Sequence, residues 1–149
     1  MFWDYLCNRV HWFMLFLNLK IMKVEDLMIG DWVYITDYPM RKEVKQITPG
    51  HFVRSLVEFE PIPLTPKILE KNGFENVDNL YPFPTFRIDD KENYFCITIG
   101  FPKGNKTRIK YPFIEIDVKN IFIEYIKINF VHELQHALKL CGIDKNIEL

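Results

Sequence analysis

The chain has 149 residues, of which 48% are hydrophobic and 15% aromatic, and its formal net charge is −1. This length accommodates one ordinary domain, and the hydrophobic fraction supports a packed core and excludes a disordered chain. Acidic and basic residues are interleaved. The charge therefore gives no electrostatic support to generic binding of nucleic acid or of a membrane surface.

The three cysteines, Cys7, Cys96 and Cys141, are too widely spaced for a disulfide framework or a C-x-x-C motif. Such spacing is typical of a protein from a reducing compartment, and we interpret the side chains as small apolar fillers. We therefore expect a cytoplasmic protein.

Residues 1–21 form an apolar segment unlike the rest of the chain. The apolar run at 10–19 contains His11 and Asn18, so it is far short of a transmembrane span, and no small-residue cleavage site follows it. We expect that Met22 is the natural start and that residues 1–21 are an upstream extension outside the core domain. The alternative is an apolar helix that docks on the body of the protein or on a partner.

The first half of the chain consists of short predicted strands separated by turns. Gly30-Asp31 and Pro49-Gly50 are turn signals. The predicted strands are Trp32–Ile35, an alternating strand through Val44 and Ile47, His51–Val53 and Leu56–Phe59. Short strands at this spacing favour a small, strongly bent antiparallel sheet of the SH3-like kind.

A connector and one short helix follow. The prolines of Pro61–Leu64 predict an extended segment, because proline blocks both helix and central-strand pairing. Thr65 can cap the helix through its hydroxyl oxygen, Pro66 suits the first helical position, and Gly73 can adopt the left-handed conformation that ends a helix. We expect Ile68 and Leu69 to face the core and Phe74 to close over them.

The second half predicts a β-meander of about four strands. Pro82 and Pro84 lie within Tyr81–Arg87 and predict an edge strand there at best. The other predicted strands are Tyr94–Ile99, Thr107–Tyr111, Phe113–Val118 and Ile121–Ile128. An amphipathic helix at 129–141 closes the chain.

These elements define the expected fold class as α+β, with an SH3-like N-terminal half and a β-meander in the second half. One short central helix lies between the two antiparallel sheets, and the amphipathic helix lies at the C-terminus. We expect a single domain over residues 22–149.

Three stretches carry a family resemblance through their order and spacing. They are MKVEDLMIGDWV at Met22–Val33, PIPLTPKILEKNGF at Pro61–Phe74 and FVHELQHALKLCG at Phe130–Gly142. In these stretches the chain resembles a group of small uncharacterised proteins encoded in the phages and mobile elements of gut bacteria. The resemblance supports Met22 as the start and implies a cytosolic product of mobile DNA. It assigns no catalytic residue.

The C-terminal helix also contains His-Glu-x-x-His, the signature of zinc metalloproteases. His132 and His136 are four residues apart, so on a helix they project from one side and could share a zinc ion. Glu133 could then act as the general base on a zinc-bound water. A catalytic zinc also needs a third protein ligand.

Two observations favour a solvated polar face over a zinc site. The downstream candidate for a third ligand is Glu148, which no following helix would hold, and nothing in the pattern favours the upstream His11 or His51. The helical wheel separates an apolar stripe from a polar side. The stripe consists of Phe130, Val131, Leu134, Ala137, Leu138 and Cys141, and the polar side carries His132, Gln135, His136 and Lys139. The wheel thus predicts that the His pair points away from the core.

Two further clusters are interpreted as solvated surface. Asp89, Asp90 and Glu92 form a charged turn without the ligand periodicity of a calcium loop. Basic residues follow at a predicted hairpin and lie near aromatic residues, a combination that can bind single-stranded nucleic acid. They are Lys103, Lys106, Arg108 and Lys110.

The sequence therefore predicts a small non-catalytic interaction or accessory module with a protein partner and no cofactor. A zinc-dependent hydrolase using His132, Glu133 and His136 is the first alternative. A weak nucleic-acid-binding module is the second.

Overall fold

The computed structural model describes residues 22, 24–37, 41–52, 57–78, 81–92, 94–103, 108–119 and 121–149. The chain divides into two compact units, Met1–Pro61 and Ile62–Leu149. Antiparallel sheets and short helices make up the fold, which confirms the α+β class. The single domain expected over 22–149 remains a prediction, and the apolar segment 1–21 lies outside the described residues.

The first unit contains a three-stranded antiparallel sheet. Its strands are β1 (Trp32–Asp37), β2 (Arg41–Gln46) and β3 (Glu58–Pro61), in the order β2-β1-β3. Because side chains alternate along a strand, Val33 and Ile35 enter the core while Tyr34 between them is only half-buried. The core residues are Met22, Leu27, Val33, Ile35, Ile47 and Phe59. The SH3-like character of this sheet remains a prediction.

Hydrogen bonds set the backbone conformation at the two predicted turns of this unit, Gly30-Asp31 and Pro49-Gly50. Gly30 has φ +92° and donates its backbone N–H to the Ile47 carbonyl at 2.8 Å, which confirms the Gly30-Asp31 turn. The strand predicted at His51–Val53 is wrong at its described residues, because Pro49–Phe52 forms a one-turn helix, α1. The Thr48 N–H donates to His51 Nδ1 at 3.0 Å, and the His51 N–H donates to the Thr48 carbonyl at 3.0 Å. These bonds close the chain locally and leave it without strand pairing there.

The second unit begins with the short helix α2 (Pro66–Lys71). The Thr65 hydroxyl oxygen accepts the Ile68 N–H at 3.4 Å, which confirms the predicted cap. Gly73 has φ +79°, and the next residue, Phe74, donates its N–H to the Leu69 carbonyl at 3.0 Å. This left-handed ending is also as predicted.

A five-stranded antiparallel meander follows. Its strands are β4 (Glu75–Asn76), β5 (Thr85–Asp90), β6 (Phe95–Gly100), β7 (Phe113–Val118) and β8 (Ile121–Lys127), paired in chain order. The edge strand predicted at Tyr81–Arg87 is wrong, because both prolines precede Thr85 and leave β5 free to pair with β4 and β6. The strand predicted at Thr107–Tyr111 is also wrong, since residues 108–111 belong to no strand.

The register of the strands places isoleucine side chains next to one another on one face of this sheet. Ile97 pairs with Ile116, and Ile116 pairs with Ile123. In the neighbouring row Ile114 pairs with both Ile99 and Ile126. We call this side the isoleucine face. It is buried on β6 and β7 and opens to solvent on β8, the edge strand of the meander.

The C-terminal helix α3 (Val131–Leu140) is fixed at both ends. At its start, the extended connector Ile62–Leu64 forms backbone hydrogen bonds with Asn129 and Val131. The Leu64 N–H donates to the Asn129 carbonyl at 2.8 Å, and the Val131 N–H donates to the Ile62 carbonyl at 2.9 Å. At its end Gly142 has φ +71°, which allows a compact helix terminus. No helix in the described part of the chain is long and apolar enough to span a membrane.

Candidate functional site

The first histidine of the His-Glu-x-x-His stretch lies inside the protein. His132 is 7% exposed, and its ring stacks on Phe130 with the centroids 5.8 Å apart and the planes 14° apart. His136 is half-buried and lies edge-on to His132 at 5.7 Å. Gln135 is 8% exposed. The predicted solvated polar face is therefore wrong for His132 and Gln135, and Phe130 contributes to the cover on that side.

Glu133 caps the helix on which it lies. Its Oε2 atom accepts the backbone N–H of Asn129 at 2.6 Å and that of Phe130 at 3.1 Å. Phe130 occupies the N-cap position but has no side-chain acceptor, so Glu133 supplies the carboxylate half of a capping box. A negative charge in the first turn also interacts favourably with the helix dipole. A general base at Glu133 would have to act through a carboxylate that these bonds already hold at the start of the helix.

Among the residues that the structure describes, no third zinc ligand accompanies His132 and His136. In the described ranges no three His, Cys, Asp or Glu side chains are grouped closely enough to hold a metal ion. Glu148 donates its backbone N–H to the Asn72 side chain at 2.8 Å, so that the C-terminal tail lies beside the end of α2. His51 lies in the other unit, on α1, and His11 lies outside the described residues.

The acidic cluster spans the end of β5 and the turn that follows. The Arg87 guanidinium donates from Nε to Asp89 Oδ2 at 2.9 Å and from Nη2 to Oδ1 at 3.0 Å, and these bonds lower the pKa of the Asp89 carboxyl. Asp90 accepts the Glu92 N–H at 3.0 Å. The Asp90 contact stabilises the turn after β5. Asp89 and Asp90 themselves are the last residues of β5, so the charged turn is confirmed only at Glu92.

The basic residues 103–110 form no described strand. Lys103, Arg108 and Lys110 are exposed, and Lys106 lies outside the described residues. The structure thus places the charges of Lys103, Arg108 and Lys110 on the surface, outside any described strand.

A groove between β8 and α3 was not predicted from the sequence. We call it the β8–α3 groove. Its floor consists of Ile114, Ile116 and Ile128, each 1% exposed, and its walls are Ile123 and Ile126 of β8 and Ala137 and Leu140 of α3. The groove has a volume of about 310 Å³. Glu133 and His136 add polar groups to its lining, and Lys127 borders it at the end of β8.

The rim of this groove is apolar and exposed. Leu140 is 82% exposed and Ile126 is 47% exposed. Beyond the groove, at the start of β8, Ile121 is 62% exposed. Five strands spaced by about 4.8 Å make a sheet about 19 Å wide, whereas a helix is only about 10 Å across. One helix therefore cannot cover the whole isoleucine face, and α3 leaves the β8 side open.

A β-bulge shapes the outer side of β8. Ile116 pairs with Ile123 and Ile114 with Ile126, so Glu124 and Tyr125 together oppose one residue of β7, Glu115. Tyr125 has φ +55°, which is the sterically costly conformation of the bulge. Burial raises the pKa of Glu115, and the nearby Glu124 raises it further. The Glu115 charge in turn raises the pKa of the Tyr125 hydroxyl.

The cysteines of this unit offer no activated nucleophile. Burial raises the pKa of the Cys141 thiol beside the groove, and burial is also the main cause of the raised pKa of Cys96 on β6. A raised pKa keeps both thiols protonated at neutral pH, and the thiolate is the reactive form.

One signal in the sequence could have located the groove. The last strand of a meander pairs on one side only, so β8 had to be an edge. Its sequence, IFIEYIK, is too apolar for a solvated edge. The width of the sheet relative to a single helix then implies incomplete cover.

No family model, no curated protein and no solved structure matches this chain.

Proposed function

We propose that this protein is a non-catalytic interaction module that binds another protein chain through the β8–α3 groove. The observation that carries the proposal is the exposed apolar rim of the groove, formed by Ile126 and Leu140. Adjacent exposed apolar side chains around a concave apolar floor are typical of protein–protein contact sites. Burying the rim would remove these side chains from water, which favours association.

The form of the groove favours a protein over a small molecule as its occupant. A small ligand usually loses most of its surface to an enclosing pocket. Here Leu140 and Ile126 extend into solvent on either side of the groove. A small molecule on the floor would leave these tips in water, whereas a protein surface can cover floor and tips together.

The capping role of Glu133 supports an interaction module over the zinc-hydrolase alternative. That alternative needs the Glu133 carboxylate as a base, whereas Oε2 already accepts two backbone N–H groups. His132 is buried against Phe130, a position that packing explains without a metal. The nucleic-acid alternative gains no support from a net charge of −1.

We extend the proposal to the setting of the protein. The spacing of Cys7, Cys96 and Cys141 supports a reducing, cytosolic location. The family resemblance at Met22–Val33 and Phe130–Gly142 supports an origin in a phage or mobile element.

Site-specific photo-crosslinking tests the proposal. A benzophenone amino acid at position 140, introduced in the cells that produce the protein, should give a discrete product with a second protein chain. The same group at Lys67, which is exposed on α2, is the control and should give no such product. Ile126→Glu should abolish the product from position 140. Absence of a product from position 140, or a product that Ile126→Glu leaves unchanged, would contradict the proposal.

A further inference from the structure

We propose that the chain which occupies the β8–α3 groove is a second copy of this protein, in a two-fold symmetric dimer. This inference rests on the proposed function and names its partner. Three features of β8 carry it: its place at the sheet edge, its apolar rim and the order of its charges.

The edges of the second sheet differ in length. At one edge β4 contains only two residues, Glu75 and Asn76, and so short a strand offers little to a partner. At the other edge β8 contains seven residues, Ile121–Lys127. A long apolar edge is the part of a sheet that associates most readily, and natural proteins usually protect it. A two-fold contact between two β8 strands would protect both and leave no third site open.

The rim is suited to contact with a copy of itself. Each groove has an apolar floor at Ile114 and Ile116, and each copy carries a protruding apolar side chain at Leu140, which is 82% exposed. In a two-fold contact each Leu140 enters the other copy's groove, and both are removed from water. A net charge of −1 per chain opposes this approach only weakly.

The bulge puts two opposite charges of β8 on one side of the sheet. Phe122 pairs with Asp117, and Lys127 pairs with Phe113, so Phe122 and Lys127 lie on the same side as these β7 residues. Glu124 is two residues after Phe122 and lies on that side as well. Without the extra residue at the bulge, Glu124 and Lys127 would lie on opposite sides.

This order of charges is complementary to itself. When two β8 strands run antiparallel around Ile126, the two bulge residues Glu124 and Tyr125 of each copy share one position of the pairing, and Glu124 opposes Lys127 of the other copy. Two reciprocal ion pairs then flank a central contact between the Ile126 side chains. Both charged residues are exposed, and opposite charges directly across paired strands are favourable. Centring the pair on Glu124 would oppose two like charges, so the charges also select the register.

Sedimentation velocity of the full chain over a wide range of concentrations tests the dimer. We expect a reversible monomer–dimer equilibrium. Leu140→Glu should raise the dissociation constant by at least about tenfold per site, and a two-fold contact contains the site twice, so the total change is about a hundredfold. Tyr94→Glu, at another exposed hydrophobic position outside the groove, is the control and should leave the equilibrium unchanged.

A charge-exchange experiment tests the register. Glu124→Lys and Lys127→Glu should each weaken the dimer, because each creates two like-charge pairs. An equimolar mixture of the two variants should form a heterodimer at lower concentration than either variant forms its own dimer. The double variant with both changes should regain the original affinity. A general loss of folding would not produce these two recoveries.

The outcomes separate this inference from the proposed function. The proposed dimer is wrong if the protein is a monomer at every concentration. It is also wrong if Leu140→Glu leaves the dissociation constant of the dimer unchanged. The same holds if the mixture of charge variants associates no better than its components. If the crosslink from position 140 leads to a different protein while sedimentation shows a monomer, the interaction module stands and the second copy is wrong. If position 140 gives no crosslink at all, the proposed function itself fails.

Discussion

Replacing Glu133 with alanine distinguishes a helix cap from a catalytic base. The carboxylate holds the N–H groups of Asn129 and Phe130 at the start of α3. Alanine leaves both donors without this acceptor, while the apolar contacts of Leu134 and Leu138 stay in place. We therefore expect Glu133→Ala to weaken folding of the Ile62–Leu149 unit.

The size of the effect follows from two charge-assisted hydrogen bonds. A hydrogen bond to a charged group contributes about 1.5–3 kcal/mol, but Asn129, Phe130 and Glu133 are only half-buried, so water replaces part of the loss. Loss of a helix cap costs about 0.5–2 kcal/mol. We expect a loss of about 2 kcal/mol for Glu133→Ala. Glu133→Gln keeps a neutral acceptor and should lose roughly half as much.

Urea unfolding followed by far-UV circular dichroism measures this loss. Tryptophan fluorescence is a less direct measure, because all three tryptophans, Trp3, Trp12 and Trp32, precede this unit in the sequence. A catalytic base that plays no part in folding predicts a change below about 0.5 kcal/mol on metal-free protein. If Glu133→Ala is as stable as the unmodified protein, the capping role is refuted.

Three further predictions concern other parts of the chain. Gly100→Ala should destabilise the second sheet by about 1–3 kcal/mol, because the new methyl group would lie 2.6 Å from the Phe113 ring; urea unfolding measures the loss. Arg87→Gln should raise the pKa of Asp89 toward its ordinary value. Because the ion pair with Arg87 lowers the pKa of Asp89 in the folded protein, its small contribution to stability is lost as the pH falls through that pKa. NMR titration of the Asp89 carboxylate measures the pKa. Removal of residues 1–21 should leave Trp32 fluorescence with an unchanged urea midpoint.

Controls keep these predictions specific. Gly50→Ala places its methyl group no closer than 3.9 Å to Thr48 Oγ1, and it should be neutral within about 0.5 kcal/mol. Equal losses at Gly50 and Gly100 would refute the clash. If the pKa of Asp89 is unchanged in Arg87→Gln, the ion pair is not the cause of the lowered pKa. Aggregation of the shortened chain would show that residues 1–21 belong to the folded protein.

Local chemistry in the sequence was enough to predict α2. Thr65 and Gly73 each act on backbone groups within a few residues, so their effects do not depend on distant parts of the chain. The period-two alternation of Phe113–Val118 likewise predicted β7, because one side of that strand is buried. The edge strand predicted at Tyr81–Arg87 is wrong because Pro82 and Pro84 both precede the strand, which begins at Thr85.

Burial around α3 could not be predicted from a helical wheel. The wheel assumes one apolar partner on one side of the helix. Here the sheet lies along the groove side, while Phe130 stacks on His132, and the connector at Ile62–Leu64 pairs with the chain that leads into the helix. A second covered side depends on contacts between residues far apart in sequence. For the same reason, the exposure of β8 could not be predicted from the sequence of that strand alone.

The metal content of tag-free protein tests most directly whether α3 is a capped packing helix in an interaction module or the centre of a zinc enzyme. Purified protein should be equilibrated with zinc, freed of excess metal by gel filtration and analysed for zinc per chain. We expect well below one zinc per chain, and His136→Ala should leave both the zinc content and the thermal stability nearly unchanged. One tightly held zinc per chain that is lost in His136→Ala would contradict the account.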